Sequence, residues 1–305
     1  MPHAIHGIFL RDGNITVGIA PGCGGALTRF EARIRGKVVD ILRPALPPEA
    51  GLHCSLSTSC FPLVPYGGRL REGRFEFDRR RYQFPLNALP EPHSAHGDGW
   101  TRPWALIHLD RRTAIMSFGT DESAPFHYHC TQTVSVSGHR VCIKLSARNL
   151  GPRRIPMGFG LHPYFADRSA ASIKAQVPAI WRWDHEMMPV SKEANPDAEN
   201  LASGRGIGTL PVTAEYQDWD GSATVEWPEK GICVNLETHP PLRHAVMWIP
   251  AGREFFCFEP VSHATDGLNR LSTQDPVAGF RILEPGAGAE QEFAFVVSAA
   301  DSSSS

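Results

Sequence analysis

The chain has 305 residues, with 30 basic against 32 acidic side chains for a net charge of −2, and is 42% hydrophobic and 20% charged. That balance fits a folded globular chain and excludes a disordered tract, a coiled coil or a strongly basic nucleic-acid binder. Gly and Pro number 28 and 26, about 18% of the chain against a usual ~12%, which favours many turns, few long helices and an all-β protein.

The opening MPHAIHGIFLRDGN lacks the succession of positive, apolar and small residues that marks a secretion signal. No apolar run approaches the ~18 residues that span a bilayer. The expectation is a cytoplasmic protein that engages neither membrane nor nucleic acid. Short alternating or β-branched runs, bounded by Gly, Pro, Asn or Asp, then recur along the chain: Ile15 to Ile19, Leu27 to Ile34, Arg74 to Phe77, Trp104 to Leu109 and Ala114 to Phe118. Cys130 to Val136 and Arg140 to Ala147 read as a hairpin turning at Ser137-Gly138, where glycine supplies a positive φ. Further strands are expected at Ile173 to Val177, Ala223 to Trp227, Ile232 to Leu236, Ala245 to Ile249, Phe255 to Phe258, Gly279 to Leu283 and Glu292 to Val297. The stretch from Met187 to Gly208 reads as a long loop, and residues 301–305 as a disordered tail. With no strand-helix-strand alternation and no linker, the pattern predicts one domain over residues 1–300, a large antiparallel β-sandwich. The seven cysteines are scattered, odd in number and never in a CxxC pair, which argues against a disulfide framework or a zinc knuckle and for small buried hydrophobes.

Four segments carry polar residues that a mere connection does not need: PYGGR at 65–69, HSAHGDGW at 93–100, GFGLHPYF at 158–165 and FCFEPVSH at 256–263. Glu259 follows an apolar run and precedes a proline, so its carboxylate is expected at the end of a buried strand. Burial there raises its pKa and suits it to proton transfer, unless an arginine makes it a structural ion pair. His162 lies among Gly, Leu, Pro, Tyr and Phe, a setting for either a packed core imidazole or an acid working near neutral pH. Arg69, after two glycines, suits either a surface ion pair or a cleft in which it donates to hydroxyls. His127 and His129 share one strand face and raise the alternative of a cupin-like metal site, but no third ligand is apparent and a solvated face accounts for them.

Taken in order, the stretches FPLVPYGGRLREGRFEFDRRRYQFPLN, HSAHGDGW, MGFGLHPYF and FFCFEPVSHATDGLN resemble the aldose 1-epimerase (galactose mutarotase) family, in its bacterial branch, over roughly Ile15 to Val297. The resemblance implies a galactose mutarotase-like β-sandwich (a supersandwich) that interconverts the α and β anomers of an aldohexose. It places the catalytic base on Glu259 and the acid on His162, and sugar-binding roles on Arg69, His96 and Asp220. Trp100 and Tyr164 are candidates to pack on the sugar. The chemistry implied needs neither a metal nor an organic cofactor, and the partner is a small sugar bound by a monomer or homodimer. The chain departs from better-known members at Gly68, where they have Asn, at Pro163, where they often have Ser, and at Pro260-Val261, where they have Thr-Gln. These departures leave the proton-transfer pair intact and bear on the identity of the sugar, which opens the alternative of a mutarotase of a phosphorylated or sulfonated sugar with Arg69, Arg71, Arg74 and Arg102 as candidate anion contacts; because fold does not dictate activity, a noncatalytic carbohydrate-binding or sensing domain is the other alternative.

Overall fold

A computed structural model describes residues 7–209, 213–271 and 279–300; the expected tail at 301–305 lies outside them. Two large antiparallel sheets, of eleven and nine strands, make up the body. The hairpin expected around Gly138 supplies the third and fourth strands of the nine-stranded sheet: Tyr128–Ser137 pairs with Arg140–Asn149, register Ser137↔Arg140, with Gly138 at φ +59° in the turn. Its alternation places Val134, Val136, Val141, Ile143 and Leu145 on one buried face. Phe30 and Phe165 of the larger sheet meet Phe295 of the smaller at ring-centre distances of 5.8 and 6.4 Å, and Phe165 also meets Trp227 at 6.4 Å, which fixes the sheets face to face.

The strands that matter most lie in the middle of the larger sheet. Gly160–Phe165 and Phe256–Val261 are buried at every position, so both faces of this strand pair are covered. Their inward residues Leu161, Phe165, Phe256 and Phe258 belong to the core between the sheets. Their outward residues Tyr164, Cys257 and Val261 belong to a second apolar cluster with Phe61, Leu63, Trp100, Val246 and Phe255. Loops and the short strand Cys60–Leu63 thus roof the outer face of the sheet, and polar groups placed there leave bulk water.

Two expectations change. The stretch from Met187 to Gly208 is not one loop: it holds the strand Pro189–Ala194 and the helix Ala198–Ser203, its polar composition reflecting an exposed edge strand. One disulfide, Cys23–Cys54, joins two turns 31 residues apart in sequence; scattered spacing hid a pairing that only the tertiary fold brings together. Cys60, Cys130 and Cys257 are free and buried, as expected of small hydrophobes. Among the described residues no helix is long and apolar enough to cross a membrane.

Candidate active site

Strand register assembles the site. Gly160↔Val261 and Tyr164↔Cys257 are the pairs that flank its centre, and the same register sets His162 opposite Glu259. Residues directly opposite share a face, and here the His162 Nε2 and Glu259 Oε1 atoms stand 3.3 Å apart, both side chains nearly inaccessible. On the other side of His162 the register His162↔Phe61 brings a ring onto the imidazole, stacked at 4.6 Å. Beyond Glu259 the pairs Val246↔Glu259, Glu215↔Val246 and Trp181↔Glu215 extend one row across the sheet. Phe61, His162, Glu259, Val246, Glu215 and Trp181 therefore line up on one face.

Burial governs the protonation of this row. Glu259 is pushed up to about 8 by desolvation, with the Arg69 charge opposing and Glu215 reinforcing. Burial drives His162 well below its ordinary value, helped by the neighbouring His96 and Arg43. The two side chains are best treated as one unit holding one proton near neutrality, on the carboxyl at rest and able to pass across the 3.3 Å gap.

Arg69 and His96 arrive together on a small ribbon, Arg69↔Ala95. Arg69 lies on the Glu91 carboxylate through Nε and Nη2 at 3.1 and 3.3 Å, and its charge reaches both Glu259 and His96. The Gly68 N–H donates to His96 Nδ1 at 3.2 Å. Burial takes His96 down to about 3, so its ring is neutral and the assigned tautomer leaves Nε2–H as a donor. Gly68 is at φ +69°, and a Cβ there would stand 2.4 Å from Thr265 Oγ1. The departure from Asn at this position is thus tied to Thr265, which fills the space.

Thr265 leads to a residue that sequence reading missed. Its N–H donates to Glu215 Oε1 at 2.8 Å, and the Thr265 hydroxyl and the Trp183 indole also face this carboxylate. Burial raises Glu215 to about 7. The indole nitrogen of Trp181 and His162 Nδ1 are buried without hydrogen bonds among the described residues. Unpaired donors and acceptors in one dry row suit a hydroxyl-rich ligand. The signal available was an acid in Thr213–Gln217 between Ala214 and Tyr216, which alternation turns toward the core, so that Glu215 faces outward.

The remaining candidates separate. Trp100 is buried, stacks on Phe61 at 5.6 Å and donates Nε1–H to the Ala95 carbonyl; Tyr164 is buried and stacks on His162 at 4.6 Å. Both pack behind the pair, whereas the aromatics only partly buried beside it are Trp183 and Trp248. Asp220 is not brought to this row: it is exposed at the turn into Ser222–Trp227, where Oδ1 accepts from the Ser222 N–H. Donor atoms of His162, Cys257 and Glu259 lie within 4.8 Å of one another and could in principle hold a metal ion. Two of them already face each other at hydrogen-bonding range, and burial keeps the Cys257 thiol in its neutral form. His127 and His129 join no such group among the described residues.

Likeness to known proteins identifies the family and the fold. The sequence profile of the family described as aldose 1-epimerase matches residues 8–295. The uncharacterized Escherichia coli K12 protein YphB is 30% identical over 83% of this chain and 89% of its own. Solved structures with the same fold include a candidate aldose 1-epimerase of Escherichia coli K12 (26% identity, 96% and 99% of the two chains, TM-score 0.85) and a galactose mutarotase-like protein of Clostridium acetobutylicum (19%, 96% and 95%, TM-score 0.81). The chain belongs to the aldose 1-epimerase family, the mutarotase-type sugar epimerases.

Proposed function

We propose that the chain interconverts the α and β anomers of an aldohexose through an open-chain aldehyde. The resting proton crosses from the Glu259 carboxyl to His162; the freed carboxylate then takes the proton of the anomeric hydroxyl while His162 delivers its proton to the ring oxygen, and rotation about the C1–C2 bond and reversal of these transfers closes the other anomer. The pair begins and ends with one proton, so a full cycle leaves the protein unchanged. Neutral His96 donates through Nε2–H to a hydroxyl, Arg69 donates to another, and Glu215 accepts from a third. The half-buried Trp183 and Trp248 cover an apolar sugar face.

One observation carries this reading: an imidazole and a carboxyl opposed at 3.3 Å in a site from which bulk water is excluded. Such a pair suits proton transfer from the anomeric hydroxyl and to the ring oxygen, two oxygens carried by one carbon, each step worth roughly 10² to 10⁴ in rate, and a mere sugar binder has no need of it. The test follows the anomeric NMR signals of freshly dissolved α-glucose and α-galactose with and without protein. Acceleration beyond the buffer rate is expected for at least one sugar, with kcat/KM bell-shaped in pH as the pair gains or loses its single proton. No acceleration of either sugar would leave a binding domain as the better description.

A further inference from the structure

The arginines that sequence reading offered to an anionic substrate each lie on a carboxylate: Arg69 on Glu91, Arg71 on Asp184 and Glu186, Arg74 on Glu72, and Arg102 on Asp98. Arg43 is held differently. It follows the strand Lys37–Leu42, and its backbone N–H donates to the Tyr164 carbonyl at 2.8 Å. Its Nε and Nη2 donate to the carbonyls of Thr58 and Leu56 at 3.1 and 2.5 Å. These partners are neutral, so the side chain is fixed while its charge is left standing. Burial bears on Arg43 most, and the charged side chain that acts on it is another cation, Arg253, exposed on the loop before Phe255.

The guanidinium caps a column of rings that contains the imidazole of the pair. Its carbon sits 3.7 Å from the centre of the Tyr164 ring and 4.3 Å from that of Phe255. Tyr164 stacks on His162 at 4.6 Å with 29° between the planes, and His162 stacks on Phe61 at 4.6 Å and 26°. A cation over a ring face is held there by the ring's quadrupole. In a site shielded from water its field also reaches farther than in solvent. Buried Tyr164 stands between Arg43 and His162, so Arg43 acts on an imidazole that it does not touch and makes no contact with a sugar bound at the pair.

The other ionisable groups around His162 do not supply this field. Burial keeps Cys60, Cys257 and Tyr164 neutral. His96, with its ring centre 5.4 Å from that of His162, is taken down to about 3 by burial and is uncharged near neutral pH. Arg69 is paired with Glu91 and bears on Glu259 and His96, and Glu215 bears on Glu259. Beyond burial itself, Arg43 is thus the fixed charge that opposes a proton on His162. Resting on the mutarotase reading above, we propose that Arg43 is a positioning residue for the proton pair: acting through Tyr164, it holds the resting proton on Glu259 and makes His162, once it has taken that proton, a stronger acid toward the weakly basic ring oxygen. Arg43 also keeps a second proton out of the pair. With both members protonated no carboxylate remains to take the anomeric proton, and the cycle stops.

The test follows anomer exchange of glucose and galactose against pH in wild type, Arg43→Lys, Arg43→Gln and Arg253→Glu, together with the ring ¹⁵N signals of His162 without sugar. Arg43→Gln removes the charge but keeps an amide that can donate to one of the two carbonyls. Arg253→Glu, at an exposed position, sets a carboxylate where a cation now acts on Arg43, so it opposes the charge without touching the column and decides the matter if Arg43→Gln fails to fold. A unit charge at this remove shifts a proton equilibrium by roughly one pH unit. The acid limb of kcat/KM and the ¹⁵N titration should therefore both move up by about one unit in Arg43→Gln. They should move the same way by less in Arg253→Glu and stay in place in Arg43→Lys, with KM within about twofold of wild type throughout. Unmoved titrations in folded Arg43→Gln or in Arg253→Glu, or an equal movement in Arg43→Lys, overturn the role of the charge. A raised KM with kcat kept in Arg43→Gln overturns it as well, since Arg43 would then contact the sugar. In each of these cases wild-type exchange leaves the mutarotase reading standing. If wild type accelerates neither sugar, that reading fails and the role of Arg43 falls with it.

Discussion

The two faces of one strand pair, Gly160–Phe165 with Phe256–Val261, are equally buried and chemically opposite. The inner face presents Leu161, Phe165, Phe256 and Phe258 to the smaller sheet, with Phe165 and Phe256 stacked at 5.2 Å. The outer face presents His162, Tyr164, Cys257 and Glu259 to a roof of aromatic rings. Burial on the inner side removes apolar surface from water and stabilises the fold. On the outer side the same burial acts on ionisable groups and sets where their protons sit. One backbone thus does two jobs, and the alternation of a β-strand is what keeps them apart.

The comparison breaks most sharply at Glu259. Glu259→Gln keeps the shape but cannot accept a proton, so kcat should fall by roughly 10² to 10⁴ with the fold intact. Polarimetry on the purified variant, with circular dichroism to verify folding, checks this; activity within about twofold of wild type would remove Glu259 from the role of base. Phe165→Ala strikes the other face. It should cost about 3 to 5 kcal/mol of stability, read as a lowered urea midpoint, while turnover per folded molecule is largely kept. Should Phe165→Ala instead lose turnover without losing stability, the division between the two faces is wrong.

A subtler effect lies in the pH dependence of stability. Glu259 and Glu215 are raised by burial to about 8 and about 7 from an ordinary value of 4.5. A carboxyl raised on folding is protonated in both states at low pH and contributes fully there. As pH climbs above 4.5 the unfolded chain releases protons that the native state keeps, so stability falls until the native values are passed. The buried histidines His162, His96 and His263 work in the opposite sense, losing stability as pH drops below 6.5. The difference between proteins isolates the carboxyl: between pH 5 and 8 the melting temperature of Glu259→Gln should decline less than that of wild type. Parallel curves would mean that Glu259 titrates in the native state much as it does unfolded. Smallest of all, His96→Asn should raise KM through a lost hydroxyl contact of about 0.5 to 1.5 kcal/mol and leave kcat nearly unchanged. Steady-state kinetics decide it, and a collapse of kcat with KM intact would move His96 into the proton-transfer pair.

Much of this was legible in the residues themselves. The hairpin at Gly138 and the strands Ile15–Ala20, Ser222–Trp227 and Gly288–Ala299 follow from alternation and turn chemistry, since each has one face toward the core. Glu259 and His162 stood out as polar groups in apolar surroundings, which is what a roofed strand looks like in sequence. The strands that bear them were harder to read, because a pair covered on both faces shows no alternation and GLHPYF and FCFEPV interrupt themselves with proline. Glu215 and Trp181 were silent because their importance comes from lateral register, a relation among distant segments that local pattern does not encode. Asp220, suggested by a short likeness alone, is where a turn needs a side-chain acceptor.

Pro163 and Pro260 lie in the centre of the larger sheet, each without an N–H to give. The cross-strand pairs between their strands are Gly160↔Val261, Tyr164↔Cys257 and Phe165↔Phe256, and the stretch holding His162 and Glu259 has none. The main-chain lattice is therefore unlaced at the place where the acid and the base confront each other. Their clearance is bounded by neighbours such as Phe61 and Val246, and no pairing between these two strands has to break for it to widen toward a sugar hydroxyl. Mechanical compliance is thus available at the rung between acid and base, and the gap can be retuned by altering the size of a flanking side chain while leaving both proton carriers in place.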